Sequence, residues 1–158
     1  QVADNALLDF GATDSFTVLA VVRQWQTPAS SRAYAFKRGG GGEGYILITN
    51  GTAVQGRAQV SDGSAIVARN GSTFTAGALT VVGLEVNRSE QQVKTITNNT
   101  VDAGGDISSV GTLESSAPFY VGSAGTPQDF ELIAATVFRR ALTSGELETL
   151  STYFQSRG

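Results

Sequence analysis

Short apolar runs broken by turn residues recur along the whole sequence, and that rhythm limits the fold more than any other feature. "FTVLAVVRQW" (16–25) ends at "TPASS", "RAYAFKR" (32–38) at a run of glycines, "YILITN" (45–50) at Gly51 and "AIVARN" (65–70) at Gly71. Asn50-Gly51 and Asn70-Gly71 are the dipeptide that suits tight hairpin turns, because both residue types tolerate positive φ. "LLDF" (7–10), "AVQGRAQV" (53–60), "ALTVVGLEVNR" (78–88), "QQVKTITN" (91–98), "PFYVGS" (118–123) and "FELIAATVFRR" (130–140) continue the series. Runs of this length and spacing predict nine or ten strands and an all-β, two-sheet antiparallel jelly-roll sandwich. The long, mostly apolar run 16–25 is expected at the centre of a sheet. In 32–38 the alternation sets Ala33, Ala35 and Lys37 on one face and Tyr34, Phe36 and Arg38 on the other.

One stretch breaks the rhythm. In "FRRALTSGELETLSTYF" (138–154), Thr143 and Glu146 have capping-box spacing, and Leu142 with Leu147 form a hydrophobic staple. Leu147, Leu150 and Phe154 follow as an apolar stripe at helical spacing, and Gly158 can stop the helix. The spacing predicts one short C-terminal α-helix. A helix of this length is unstable alone in water, so its stripe must lie on another element, most simply the sheet whose last strand precedes it.

Composition narrows the function. The chain has 158 residues, enough for one domain with a real core, and the expectation is a single domain over 1–158. It begins on Gln1, as a processed chain or a piece of a longer one would, and nothing in it reads as a signal peptide. A net charge of -3 without a basic cluster gives no footprint for nucleic acid. No apolar run reaches the length of a membrane-spanning helix. There is neither Cys nor His, which removes thiol chemistry, the commonest zinc ligands and the Ser-His-Asp mechanism.

The motifs carry a resemblance. "SFTVLAVVRQW", "GYILITNG", "VVGLEVNRSEQQVKTITNNT", "PFYVGSAG" and above all "FELIAATVFRRALTSGELETLSTYF" are similar, in order and spacing, to laminin-G-like domains of the concanavalin A-like lectin/glucanase superfamily. The likeness runs from about residue 7 to 157. It departs where many relatives have "W-H-H-V-A", here "AGALTVV" (76–82). The resemblance implies that the closing "R-A-L-T-x-x-E" turns the chain into a helix covering an open end of the sandwich. It also implies the settings in which such domains occur: phage capsid-decorating, tail and fibre proteins, and bacterial surface proteins.

Candidate sites follow. Hydrolases of the superfamily carry "E-x-D-x-x-E" on one strand; Glu85 and Glu90 lack the central Asp, and Asp129 with Glu131 lack a third carboxylate, so no enzyme is expected. The resemblance brings in calcium as the one cofactor to consider, with Asn99, Asp102 and Asp106, beside Asn98 and Asp129, as oxygen ligands. The same residues are what hairpin turns use. Trp25, Tyr34 and Tyr45 are candidate sugar-stacking rings, with Arg23, Arg38 or Arg57 as hydrogen-bonding partners. "RGGGGEG" (38–44) lacks the Lys-Ser/Thr of a phosphate loop and reads as a hairpin connection. "NGT", "NGS", "NRS" and "NNT" fit the N-glycosylation pattern but fall at expected turns. Two functions remain. One is a non-enzymatic structural or attachment module at a virion or cell surface, with a protein lattice or its own copies as partner. The other is a carbohydrate-binding module for surface glycans. No nucleic-acid or membrane partner is expected.

Overall fold

The computed structural model describes residues 1–28, 30–122 and 130–156. In chain order the strands are β1 (Phe16–Gln24), β2 (Ala33–Arg38), β3 (Glu43–Thr49), β4 (Gln55–Asp62), β5 (Ile66–Thr73), β6 (Leu79–Asn87), β7 (Gln92–Thr97), β8 (Thr100–Val101), β9 (Gly105–Asp106), β10 (Phe119–Val121) and β11 (Phe130–Phe138). The helix α1 spans Ser144–Gln155. Two antiparallel sheets result. One is five-stranded, in the order β10-β2-β3-β4-β5; the other is six-stranded, in the order β11-β1-β6-β7-β8 with β9 also paired to β7. This is the antiparallel sandwich that the run-and-turn rhythm predicts.

The strand β1, interior to the six-stranded sheet between β11 and β6, is apolar because both of its faces are covered. Val18, Ala20 and Val22 of β1 point into the main core between the sheets, beside Val82, Leu84 and Val86 of β6 and Leu47, Ala58 and Val60 of the opposite sheet. Leu19 and Val21 point the other way, into a second cluster with Val81, Ile96, Leu142 and Leu147. That second cluster is the seat of α1. The predicted capping box forms: the Thr143 amide donates to Glu146 Oε2 at 2.9 Å, and the Glu146 amide donates to Thr143 Oγ1 at 3.4 Å. Leu142 and Leu147 are both buried, as a staple requires.

The helix therefore lies on the outer face of the six-stranded sheet, not over an open end of the sandwich as the resemblance implies. The reason is geometric. Every apolar side chain it meets on β1 and β6 is on the outward side of the pleat.

An end is instead closed by the N-terminal segment. "LLDF" is not a strand: Ala6–Leu8 is a single 3₁₀ turn with Asn5 as its cap, and Phe10 enters the main core. Phe10 stacks on Phe16 with centroids 3.9 Å apart. Val2 pairs with Phe119, which extends the β10 edge. Arg139, in the closing motif, donates to the carbonyls of Ala6, Leu7 and Asp9, and its guanidinium lies 5.1 Å from the centre of the Phe10 ring.

Near β5 and β7 the two sheets approach closely. A Cβ on Gly71 would lie 2.8 Å from Thr95 Cγ2 and 2.9 Å from Thr97 Oγ1. Only glycine fits between them.

Candidate functional site

The outer faces of the two sheets differ. One is covered by α1; on the other, among the described residues, side chains of β10, β2, β3 and β4 stand open. The register places Tyr120, Phe36, Ile46, Gln59 and Ala68 in one row across all five strands. A second row runs Ala33, Ile48, Arg57, Asn70. With strands about 4.8 Å apart, the first row is about 19 Å long. Its β10–β3 part carries Tyr120, Phe36 and Ile46, and Gln59 on β4 supplies the polar amide beside them. Phe36 and Tyr120 stack at 4.7 Å with planes 12° apart, and both are half-buried. An open hollow of about 390 Å³ is lined by Ala33, Phe36, Arg38, Ile46, Ile48 and Gln59, with Ser31 at its rim. Arg38 is steadied by donating from Nε to the Gly42 carbonyl at 3.1 Å.

The sugar-binding residues expected from sequence are divided among three places. Trp25 is 52 % exposed just past the end of β1. Arg23 is two residues earlier on that strand and pairs with Glu131 at 3.3 Å. These two share the six-stranded sheet. Arg57 is on the open face of the other sheet, so the predicted set does not converge on one site.

Tyr34 and Tyr45 are corrections: both are fully buried and cannot stack on a ligand. The expected alternation of 32–38 fails at a register shift between Ala33 and Ala35, which turns Tyr34 inward with Ala35. Its hydroxyl donates to Gln24 Oε1, its ring meets Phe130 edge-on at 4.6 Å, and burial pushes its pKa above the ordinary tyrosine value. Tyr45 donates to the Leu8 carbonyl at 3.0 Å. Phe36 and Tyr120 are the aromatic residues that sequence reading missed. The alternation of Tyr34 and Phe36 put both on one face, and only the bulge separates them.

The calcium ligands do not meet either. Asn99 follows the Thr97 end of β7, whereas Asp106 pairs with Gln92 at the other end. Five residues of strand, about 17 Å, separate those levels, and a calcium ligand lies within about 2.6 Å of the ion. Asp102 is occupied by the Ser72 amide at 3.0 Å and by the Ser72 hydroxyl. Asp106 accepts from the Ser108 amide at 2.8 Å, which holds its carboxyl below the usual range. Asn98 sits at φ 56°, and its side chain accepts from the Val81 amide at 3.0 Å, as a turn residue does. Asp129 lies outside the described residues. Among the described residues no three acidic groups are placed to hold a metal ion.

A second concavity, of about 560 Å³, is acidic. It is lined by Asp4, Asp9, Asp14, Glu43 and Glu114, with Arg139 at its edge. Behind Asp4 and Asp9 is Lys37, whose side chain is fully buried. The ammonium is 2.6 Å from Asp4 Oδ1 and 3.0 Å from Asp9 Oδ1, and it donates to the carbonyls of Ala117, at 2.9 Å, and Ser115. Burial alone would lower the Lys37 pKa, but the bonds to Asp4 and Asp9 outweigh it and the pKa stands above the ordinary value. Both carboxylates are thus the counter-ions of one lysine. A glycosidase pair instead needs one carboxyl held protonated in an apolar setting beside an ionised one. Chemically this cleft is a closure that pins the N-terminal segment.

No protein-family model matches the sequence, and no curated protein matches it. Solved structures do match. The binding domain of Paraclostridial Mosquitocidal Protein 1 aligns with TM-score 0.74 and 12 % identity over 96 % of this chain and 40 % of its own. The binding domain of botulinum neurotoxin DC in complex with rat synaptotagmin II gives 0.69 and 11 %, over 90 % and 36 %. The botulinum neurotoxin serotype D ligand-binding domain in complex with N-acetylneuraminic acid gives 0.73 and 9 %, over 95 % and 38 %. The chain spans about two fifths of the length of these structures. At such identities the likeness is one of fold: the chain has the β-sandwich found in those binding domains.

Proposed function

We propose that the chain is a non-enzymatic attachment module, related to laminin-G-like domains, that binds glycans at a surface outside the cell through the open face of its five-stranded sheet. The observation that carries this reading is the row Tyr120–Phe36–Ile46–Gln59, apolar at one end and hydrogen-bonding at the other, on a sheet face with no cover among the described residues. Sugars present the same mixture of C–H faces and hydroxyls, and sites for them combine aromatic edges or faces with a few placed polar groups. Further support comes from the company the fold keeps. Structures of like fold are binding domains, one in complex with rat synaptotagmin II and one with N-acetylneuraminic acid. Sites are grafted on folds, so the experiment decides. A glycan array probed with the intact chain is expected to give selective hits that Phe36→Ala weakens. A blank array, or hits indifferent to Phe36, would overturn the reading.

A second reading, a structural module in a virion or cell-surface lattice, is favoured by β11. This nine-residue strand ends its sheet, has no pairing on its outer side among the described residues, and carries neither Lys nor Pro. Edges of that kind recruit other strands. Light scattering at several concentrations separates the two: a defined oligomer that Ile133→Lys dissolves supports assembly, and a monomer supports the binding module.

A further inference from the structure

Among the described residues Arg57 stands out from the other cations. Arg23 pairs with Glu131, and Arg38 donates to the Gly42 carbonyl. Arg69 donates to Gly104, and Arg88 to Val110 and Gly111. Arg139 holds the 3₁₀ turn, Arg140 pairs with Glu146, Lys37 with Asp4 and Asp9, and Lys94 with Glu90. Arg57 has no acceptor among the described residues, and its Nε is closed off from solvent without one. Arg32 shares that condition, but it lies beside Thr49, where the chain enters β2, and not in the open rows.

The position of Arg57 is fixed by its neighbours. Gly56 and Ala58 face the opposite sheet and the core, so Arg57 between them projects onto the open face. Ile48 is beside it on β3 and Asn70 beside it on β5. Gln59 is the next residue on the same side of β4. The two rows and Arg38 contain no carboxylate, although the chain as a whole is acidic at -3. A guanidinium in that setting lacks a planar, two-oxygen acceptor, and a carboxylate is the group its donors match.

We infer that the open face takes an acidic glycan, with Arg57 receiving the sugar carboxylate while Phe36 and Ile46 meet the apolar side of the ring next to it. This rests on the glycan-binding reading and names its ligand class. The Nε is closed off, so the donors open to a ligand on this face are the two terminal nitrogens of Arg57, which are not among the buried unpartnered atoms. A charged acceptor meets them with stronger hydrogen bonds than sugar hydroxyls do.

The test uses the intact chain against immobilised uronate- and sialate-bearing oligosaccharides, each beside its carboxyl-reduced counterpart, with sulfated oligosaccharides and polyglutamate as further probes. The acidic sugars are expected to bind at least about tenfold more tightly than their reduced partners, with affinity falling as salt rises. In Arg57→Gln that preference should vanish while the weaker binding of the reduced sugars persists. Arg57→Lys should recover only part of it, because an ammonium lacks the fork. Circular dichroism and melting of both variants are expected to match the parent, since Arg57 supports no ion pair.

Equal binding of acidic and reduced sugars by the parent would overturn the inference and leave the glycan reading standing. Sulfated sugars binding as tightly as carboxylated ones would overturn the carboxylate assignment. Binding of polyglutamate but of no sugar would overturn both.

Discussion

Lys37 shows what a single residue can decide here. It sits in a strand whose alternation puts it on the core side, and an unpaired ammonium there would be prohibitive. The N-terminal segment supplies Asp4 and Asp9, so burial of the lysine and docking of that segment are one event. Lys37→Ala is expected to cost about 3–5 kcal/mol in urea denaturation, and Asp4→Ala less, because Asp4 is partly exposed and Asp9 remains. Nothing in the sequence near residue 37 announces this. Its partners are 33 and 28 positions away, and the run "AYAFKR" reads as an ordinary amphipathic strand. Glu85 is the opposite case, a buried carboxylate only partly compensated. Burial, the largest influence, raises its pKa against the pull of Lys94 and the Leu142 amide. The folded chain therefore holds this proton more tightly than the unfolded chain, and stability falls as pH rises from the ordinary carboxylate value through the raised one. Glu85→Gln should unfold at the same urea concentration as the parent near pH 3. It should become the more stable of the two, by about 1 kcal/mol, toward pH 7. A variant less stable at pH 7 would mean that the Lys94 and Leu142 contacts outweigh burial.

Among the elements, α1 was the most legible, because its signals are local: a capping box and a staple lie within six residues of one another. What it packs on was legible only in part. The apolar stripe demanded a sheet, and the continuous apolarity of "FTVLAVV" was the sign that this strand is covered on both faces. The expected lid over the sandwich end does not form, because the helix stripe meets the outward side chains of β1 and β6; the N-terminal 3₁₀ turn, Phe10 and Arg139 occupy an end instead. The helix residues should not respond equally. Leu147 is fully buried and Phe154 half-buried, so Leu147→Ala is expected to cost about 2–5 kcal/mol and Phe154→Ala less, both read from thermal or urea unfolding. Strands with clean alternation were also readable. Those with a slip were not, since the bulge in β2 that buries Tyr34 and the meeting of β10 with β2 that creates the Phe36–Tyr120 stack both depend on pairings far apart in sequence.

At the scale of the molecule, the sandwich uses its two outer faces differently. One is spent on holding α1 and completing a second core; the other leaves aromatic, aliphatic and guanidinium groups in register on a rigid sheet. The absence of Cys and His leaves carboxylates, Tyr, Lys and Arg as the groups chemistry would have to use, and in the acidic cleft Asp4 and Asp9 serve as counter-ions of Lys37. The central claim is that ligand meets the open face and not the end of β1 where Trp25 stands. The most direct test is glycan binding by two variants side by side, Phe36→Ser/Tyr120→Ser and Trp25→Ala, each checked for unchanged melting. The open-face account predicts that the double variant loses at least about tenfold in affinity and that Trp25→Ala binds as the parent does. Undiminished binding by the double variant, with loss in Trp25→Ala, would contradict it and move the site to the other sheet.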